Sequence, residues 1–211
     1  MKNKRIIIAF GVVSILLLLW WVFTINQNSS QKLLFPSPEL LLQTLSERYI
    51  ELAQFSFTTW YRVLVGLFVG SYLGFITGLL MSYNNMVNYI LDPIIELIRP
   101  IPPVALTPFF ILWFGLGDLS QLLLIAIGCY MIITITTYEA VRNVNPVFIR
   151  AARSLGAKPL DLYLTVIIPN IIPNLLPGLR VALATSFALT VAAEYLGAQG
   201  GLGFVIRNAR T

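Results

Sequence analysis

The sequence predicts an all-α protein that crosses a membrane several times. Of its 211 residues, 57% are hydrophobic and 11% are charged, and the mean hydropathy is +0.81. This composition lies outside the range of soluble globular domains. The apolar residues are also gathered into nearly uncharged runs of about 20 residues, the length that an α-helix needs to span hydrocarbon.

Five runs are predicted to span the membrane, with approximate bounds 6–25, 58–83, 93–114, 120–138 and 178–197. The first run ends in Trp20, Trp21 and Phe23 instead of a small-residue cleavage site. We therefore interpret it as an uncleaved membrane span and not as a signal peptide.

The stretch 26–56 is the most polar part of the chain and separates the first two spans. Its leucines give one apolar helical face, at Leu40, Leu41, Leu42 and Leu45. This pattern predicts an amphipathic surface helix. We divide the chain into an N-terminal anchor with this extracytoplasmic helix, residues 1–57, and a transmembrane core, residues 58–211.

Small residues recur at every fourth position in two of the spans. The first set is Gly66, Gly70, Gly74 and Gly78, and the second is Ala184, Ala188 and Ala192. Each set shares one helix face, and small side chains allow a neighbouring helix to approach closely inside a membrane. Both stripes are predicted to be helix-packing faces.

The segment 89–103 contains four prolines, which predicts an interrupted helix because proline frees backbone carbonyls. Glu96 and Arg99 are spaced to pair on one helical face. The alternative places Pro100, Pro102 and Pro103 along a translocation path. Elsewhere, Glu194 either packs or faces that path, and Arg62 is expected to extend to the lipid headgroups at the outer end of its span.

Lysine and arginine in the short loops predict the orientation. Residues 1–5 carry three of these cations and residues 139–176 carry four, whereas 26–56 carries two and the turn at 115–120 none. The richer segments are expected in the cytoplasm, with the N-terminus. Alternation then places Arg207 and Arg210 outside, in a stretch that ends without a compact closing element. We therefore expect a C-terminal truncation.

Residues 139–176 contain two short helices by local signals. Asn145 followed by Pro146 predicts a capped helix start, and Gly156 predicts its end about nine residues later. Pro159 opens a second helix that is expected to run to Pro169. Small alanines on the apolar face and a basic flank favour docking into another protein over contact with lipid.

The sequence lacks the residues that several other classes of function require. The sequence has no histidine, one cysteine, and no P-loop pattern, which argues against a metal site, the usual hydrolytic triads and ATP hydrolysis by this chain. Cys129 is predicted to be a small packing residue. Scattered cations argue against nucleic-acid binding. We expect no enzyme activity and no cofactor in this chain.

The segment RAARSLGAKPLDLYLTVIIP at 150–169 resembles the EAA loop of ABC importer permeases. Ala151, Ala152, Gly156 and Pro169 match that pattern in register, while Arg150 stands where the pattern has glutamate. Residues 91–124 and 176–209 are similar to the corresponding stretches of taurine, sulfonate and nitrate importer permeases.

The resemblance implies a type I ABC importer permease fold with about five of its six spans present, in the cell membrane of a bacterium. It also implies a homodimeric pore, a cytoplasmic ATPase that binds ATP and magnesium, and an extracytoplasmic solute-binding protein. The ATPase-docking surface would comprise Arg150, Ala151, Ala152, Arg153, Gly156 and Ala157.

The expected substrates are small organic anions, with taurine or another alkanesulfonate first and nitrate, bicarbonate or a vitamin precursor as alternatives. Two alternatives fall outside this functional class: the chain is an ATPase-independent secondary transporter, or it is the non-functional remnant of a truncated gene.

Overall fold

The structure is a computed structural model that describes residues 2–25 and 35–209. Part of the polar stretch 26–56 and Arg210 lie outside these residues. The helices are α1 (Lys2–Ile25), α2 (Pro38–Tyr83), α3 (Asn85–Ile98), α4 (Thr107–Phe114), α5 (Asp118–Arg142), α6 (Pro146–Ser154), α7 (Pro159–Gly197) and α8 (Leu202–Asn208). A 3-10 turn, Pro103–Leu106, precedes α4, and Tyr163–Ile167 of α7 is π-helical. The predicted all-α class is confirmed.

Within the described residues, α2, α5 and α7 are each long and apolar enough to cross a membrane. The segments α3 and Pro103–Phe114 together form a fourth candidate, bent by 85°. The bend falls at the proline-rich stretch where the sequence predicts an interrupted helix. The apolar part of α1, Ile8–Thr24, is shorter.

The chain divides into two compact units, Met1–Ala53 and Gln54–Thr211. In the first unit, most described side chains of α1 are exposed, as expected for a helix surrounded by lipid. The Trp21 indole Nε1 donates a hydrogen bond to Glu39 Oε1 at 3.3 Å. The rings of Phe23 and Phe35 also meet edge to face, with centroids 6.3 Å apart.

A helix is present where the sequence predicts one, around residues 40–45. The range given for α2 joins two helical segments across a kink at Arg48, where the backbone leaves helical geometry (φ −114°, ψ 18°). The sequence has no glycine or proline between Pro38 and Gly66, so neither residue type accounts for the kink. The four leucines are 40–65% exposed.

The glycine stripe of α2 packs against α5, as predicted. A Cβ atom at Gly66 would lie 2.6 Å from Ile125 Cγ2, and one at Gly74 would lie 2.7 Å from the Tyr130 carbonyl oxygen. At Gly70 the added carbon would collide with the backbone of Ala126. The two helices therefore approach along the whole stripe because no side chain stands between them.

The alanine stripe of α7 does not pack within this chain, because Ala184 and Ala188 are exposed. The side of α7 that packs on α5 contains Gly178 and Ala182 instead. The Cys129 thiol lies 3.6 Å from the Ala182 carbonyl oxygen, and Cys129 is fully buried, as expected for a packing residue. The two helices approach closely here because Cys129 of α5 and Ala182 of α7 are both small. The face with Ala182 therefore packs on α5, and the face with Ala184 does not.

Residues 202–208 form a helix, which corrects the expectation that this stretch lacks a compact closing element. Gly203 of α8 is buried against α7, where a Cβ atom would lie 2.7 Å from Glu194 Cβ. The Arg207 guanidinium donates a hydrogen bond to the Ala198 carbonyl oxygen at 3.0 Å. This contact gives Arg207 a partner beside the helix end.

Candidate docking hairpin and buried charge cluster

The helix α6 begins as its sequence predicts. The Asn145 side chain accepts a hydrogen bond from the Val147 amide at 2.9 Å, and Pro146 occupies the first turn. The cap satisfies one of the amides that a helix start leaves without a partner, and proline there loses no hydrogen bond. The nine residues Pro146–Ser154 match the predicted length.

The end of α6 is a Schellman motif. The Gly156 amide donates to the Arg153 carbonyl oxygen at 3.0 Å, and the Ala157 amide donates to that of Ala152 at 3.1 Å. Gly156 has φ +82°, the left-handed conformation this motif requires. A Cβ atom there would meet nothing within 4 Å, so the glycine serves the backbone conformation and not a lack of space.

We call residues 145–158 the docking hairpin. Its inner side rests on a core of buried residues: Ala140, Val141, Val144, Leu162, Ile167 and Ile171. Ile149 and Ala152 pack against that core. Close by, the rings of Tyr83 and Tyr163 meet edge to face with centroids 5.1 Å apart. The hairpin is thus anchored to both α5 and α7.

The second helix of this region does not end at Pro169, which corrects the sequence prediction. Pro159 opens α7, and the helix continues through Pro169, Pro173 and Pro177 to Gly197. Within Tyr163–Ile167 the turns widen to π-helical geometry just before the first of these prolines. Such widening accommodates carbonyls that a proline leaves without a donor, so the helix continues past Pro169.

The outer side of the docking hairpin is open. Arg150, Ala151, Arg153 and Gly156 are exposed, whereas Ala152 and Ala157 are half-buried in the Schellman motif. Leu155, absent from the predicted docking set, is 89% exposed at the tip. The predicted docking set does not include this exposed apolar side chain. Its position at the end of α6, directly before Gly156, was the sequence signal that could have indicated an exposed tip.

Arg62 does not extend to the headgroups, which corrects the sequence expectation. Only 5% of the residue is exposed. Its Nη1 donates to Glu194 Oε1 and to the Gly200 carbonyl oxygen, both at 2.8 Å, and its Nη2 donates to Asp118 Oδ1 at 2.6 Å. Two carboxylates within hydrogen-bond distance, the fully buried Glu194 and the 60% exposed Asp118, offset the cost of burying the guanidinium.

Glu194 is the buried centre of this charge cluster, which we define as Thr59, Arg62, Asp118 and Glu194. Thr59 Oγ1 lies 3.0 Å from both carboxylate oxygens, and the Gly203 amide donates to Oε2 at 2.9 Å. The cluster joins α2, α5 and α7 to the start of α8. Gly201, with φ +103°, leaves no room for a Cβ atom beside the carboxylate.

The structure separates the residues predicted along a translocation path. Pro103 lines a cavity of about 340 Å³ at the bend between α3 and α4, while Pro100 and Pro102 are exposed there. Glu194 lies in the charge cluster and does not line this cavity. Glu96 and Arg99 form the predicted ion pair, at 3.2 Å, with side chains 59% and 53% exposed.

Three helices long and apolar enough to cross a membrane, with a bent fourth candidate, indicate a multi-pass membrane protein in the described part of the chain. Comparison with known protein families identifies the family to which the chain belongs. The chain belongs to the family of binding-protein-dependent transport system inner membrane components, whose sequence model matches residues 66–211.

Individual relatives agree. The chain is 34% identical to the taurine transport system permease protein TauC of Escherichia coli (strain K12), covering 98% of this chain and 78% of that protein. It is 32% identical to the putative aliphatic sulfonates transport permease protein SsuC of Bacillus subtilis (strain 168), covering 83% of this chain and 64% of that protein. A putative ABC transporter permease protein of Methanocaldococcus jannaschii is 32% identical over 99% of this chain and 80% of its own length.

Among solved structures, an inward-facing conformation of the MetNI methionine ABC transporter matches with a TM-score of 0.67 and 21% identity. The match covers 75% of this chain and 80% of the other, and it shows the shared fold. The predicted type I importer permease fold is therefore confirmed. The chain is a multi-pass permease subunit of a membrane transport system, and its family in general works with an ATPase and a binding protein.

Proposed function

We propose that this chain forms the pore of an ATP-driven bacterial importer of small organic anions, with taurine or another alkanesulfonate as substrate. The names of the taurine and aliphatic sulfonate relatives, which are 34% and 32% identical to this chain, support that substrate class. The N-terminus lies in the cytoplasm in this proposal, as does the docking hairpin with its cations. The chain performs no covalent catalysis; ATP and magnesium bind to a separate ATPase.

The docking hairpin receives that ATPase. The observation that carries this proposal is the combination of a rigid frame and an open surface. Two terminal motifs fix the backbone of α6, and the cations Arg150 and Arg153 flank an apolar tip at Leu155. A short helix presented in this way is suited to a groove on a partner protein. Ala151 and Gly156 add a surface with little side-chain bulk.

Work at the hairpin is transmitted along α7. This helix begins at Pro159, directly after the hairpin, and runs 39 residues to Gly197, a length of about 58 Å. It carries Glu194 near its far end, in the charge cluster. When the ATPase dimer closes on ATP and moves the hairpin, α7 shifts relative to α5, and the pore changes from inward-open to outward-open. Hydrolysis returns it.

The pore is a homodimer in this proposal. The exposed side of α7 in the single chain is apolar and carries the small residues Ala184 and Ala188 together with Val181, which is 55% exposed. Small residues on an exposed membrane helix permit close contact with a second helix. Two copies would then present two docking hairpins to an ATPase dimer.

The docking assignment is tested with Gly156→Asp. Aspartate tolerates the left-handed backbone better than most residues, although it is strained at φ +82°, and the position has open space. The substitution therefore places a charged side chain beside Arg153. We expect the variant to remain in the membrane but to lose co-purification of the ATPase. Gly156→Asn is the matched control, since it adds the same shape without charge.

Retained ATPase binding and transport in Gly156→Asp would refute the docking assignment. If the unaltered chain transports sulfonates but retains no ATPase, a secondary transporter becomes the better description. Loss of co-purification in both variants assigns the effect to side-chain bulk or backbone strain at this position, and loss in the aspartate variant alone assigns it to charge.

A further inference from the structure

The cavity at the bend between α3 and α4 combines features that the proposed function leaves unassigned. Its walls are largely apolar, with the polar groups of Arg99, Thr136, Glu139 and Thr185 among them. Pro103 and Gly128 line the same space. A mostly apolar cavity with a few polar groups of this kind is the usual form of a small-molecule site. Its volume of about 340 Å³ lies within the range of small-molecule sites, roughly 300–1,000 Å³.

The lining of the cavity follows the C-terminal half of α5. Along α5 its lining runs from Ile127 to Glu139, a rise of about 18 Å. Glu139 lies one turn from the end of α5, close to the docking hairpin. Beyond Ile127 the space among Thr107, Phe110 and Gln121 leaves no room for a water molecule. The cavity therefore extends from the hairpin end to the middle of α5.

The charges around this cavity are nearly balanced. A second cavity of about 220 Å³ adjoins it through the shared lining residues Ile135 and Glu139. Together the two are lined by two cations, Arg99 and Arg142, and three carboxylates, Asp92, Glu96 and Glu139. The carboxylates outnumber the cations by one, which is unfavourable to a simple anion. A ligand with one positive and one negative group meets no such penalty.

Arg99 is available to a ligand anion. Its partner in the structure is Glu96 at 3.2 Å, in a pair whose side chains are more than half exposed. Pairs of this kind contribute only about 0–1 kcal/mol, so an incoming sulfonate or carboxylate exchanges with Glu96 at little cost. A guanidinium also binds such groups through two parallel hydrogen bonds.

We infer that this cavity is a binding site within the permease for a small zwitterion. Arg99 binds the sulfonate or carboxylate of the ligand, and Glu139 binds its ammonium. The inference rests on the proposed function and sharpens it, because it favours an amino sulfonate such as taurine over a sulfonate without an amine. The substrate would then be recognised twice, first by the binding protein and then by the permease.

The test measures ligand binding to the purified permease–ATPase complex without the binding protein. Titration calorimetry compares taurine with ethanesulfonate, which has the same sulfonate and no amine. We expect taurine to bind more tightly to the unaltered complex. Glu139→Gln should weaken taurine binding at least tenfold and should not weaken ethanesulfonate binding, since it removes a negative charge from the cavity. The matched control Glu51→Gln, at an exposed carboxylate that lines neither cavity, should leave the binding of both ligands unchanged.

A second measurement locates the ligand. The single native cysteine, Cys129, is fully buried, so a cysteine introduced at the cavity wall by Met131→Cys becomes the accessible thiol. Taurine should slow its reaction with a small methanethiosulfonate reagent. Leu97→Cys, at a residue that is 76% exposed and outside the cavity lining, is the control that taurine should not protect.

Absence of saturable taurine binding, equal affinity for both sulfonates, or an unchanged affinity in Glu139→Gln would each overturn the inference. Measuring ATP-driven taurine uptake by proteoliposomes that contain the complete transporter distinguishes failure of the cavity inference from failure of the proposed function. Uptake by the unaltered transporter together with any of these results refutes the cavity assignment alone. Absence of sulfonate uptake refutes the proposed function itself.

Discussion

The two ends of α5 illustrate opposite ways of building a functional element. After its C-terminal end, the docking hairpin is shaped by backbone hydrogen bonds and one cap between residues at most five apart, and its outer surface is exposed. At its N-terminal end, the charge cluster joins side chains 56 to 135 residues apart, and it is buried except at Asp118, whose side chain is 60% exposed. A surface that meets a partner keeps its shape locally, whereas a buried cluster depends on the whole unit.

The charge cluster should show the largest effect of substitution. In Arg62→Leu, Glu194 stays fully buried with hydrogen bonds from Thr59 and Gly203 but without a cation. Removing one partner of a buried ion pair costs about 3–5 kcal/mol. We expect a markedly lower melting temperature of the purified protein in detergent, measured by scanning fluorimetry.

Two controls define that result. Arg99→Leu breaks an ion pair whose side chains are more than half exposed, and should lower the stability by about 0–1 kcal/mol. The double variant Arg62→Leu with Glu194→Leu removes both buried charges and should recover part of the loss. A melting temperature for Arg62→Leu equal to that of Arg99→Leu would show that the cluster does not hold the helices together.

The start of the docking hairpin should show an intermediate and local effect. Asn145→Ala removes the hydrogen bond from the Val147 amide, and loss of such a cap costs about 1 kcal/mol. Because the hairpin is self-contained, we expect faster hydrogen–deuterium exchange across 146–157 with little change in global melting. Asn145→Ser supplies another capping oxygen and should restore slow exchange. Equal destabilisation of the whole protein by Asn145→Ala would contradict the local character of the hairpin.

The same contrast explains which features could be predicted from the sequence. The hairpin bounds and the close approach along the glycine stripe follow from local rules about caps, left-handed residues and small side chains. The charge cluster could not be found in this way, since Thr59, Arg62 and Glu194 meet only after α2, α5 and α7 have packed. The packing face of α7 also depends on contacts between helices. The sequence therefore indicated a small-residue stripe at Ala184 but not that α7 packs on α5 through Ala182.

The hairpin tip should show the smallest effect on stability and a clear effect on partner binding. Leu155 is 89% exposed, so Leu155→Gln removes little buried surface and should change stability by no more than about 0.5 kcal/mol. Burying a leucine at an interface contributes about 1.5–3 kcal/mol. If the tip enters a groove of the ATPase, co-purification should fall about tenfold or more, while Leu155→Met should retain it. Undiminished ATPase binding in Leu155→Gln would restrict the docking surface to the arginines and small residues of α6, and the exposed leucine would then have no part in the contact.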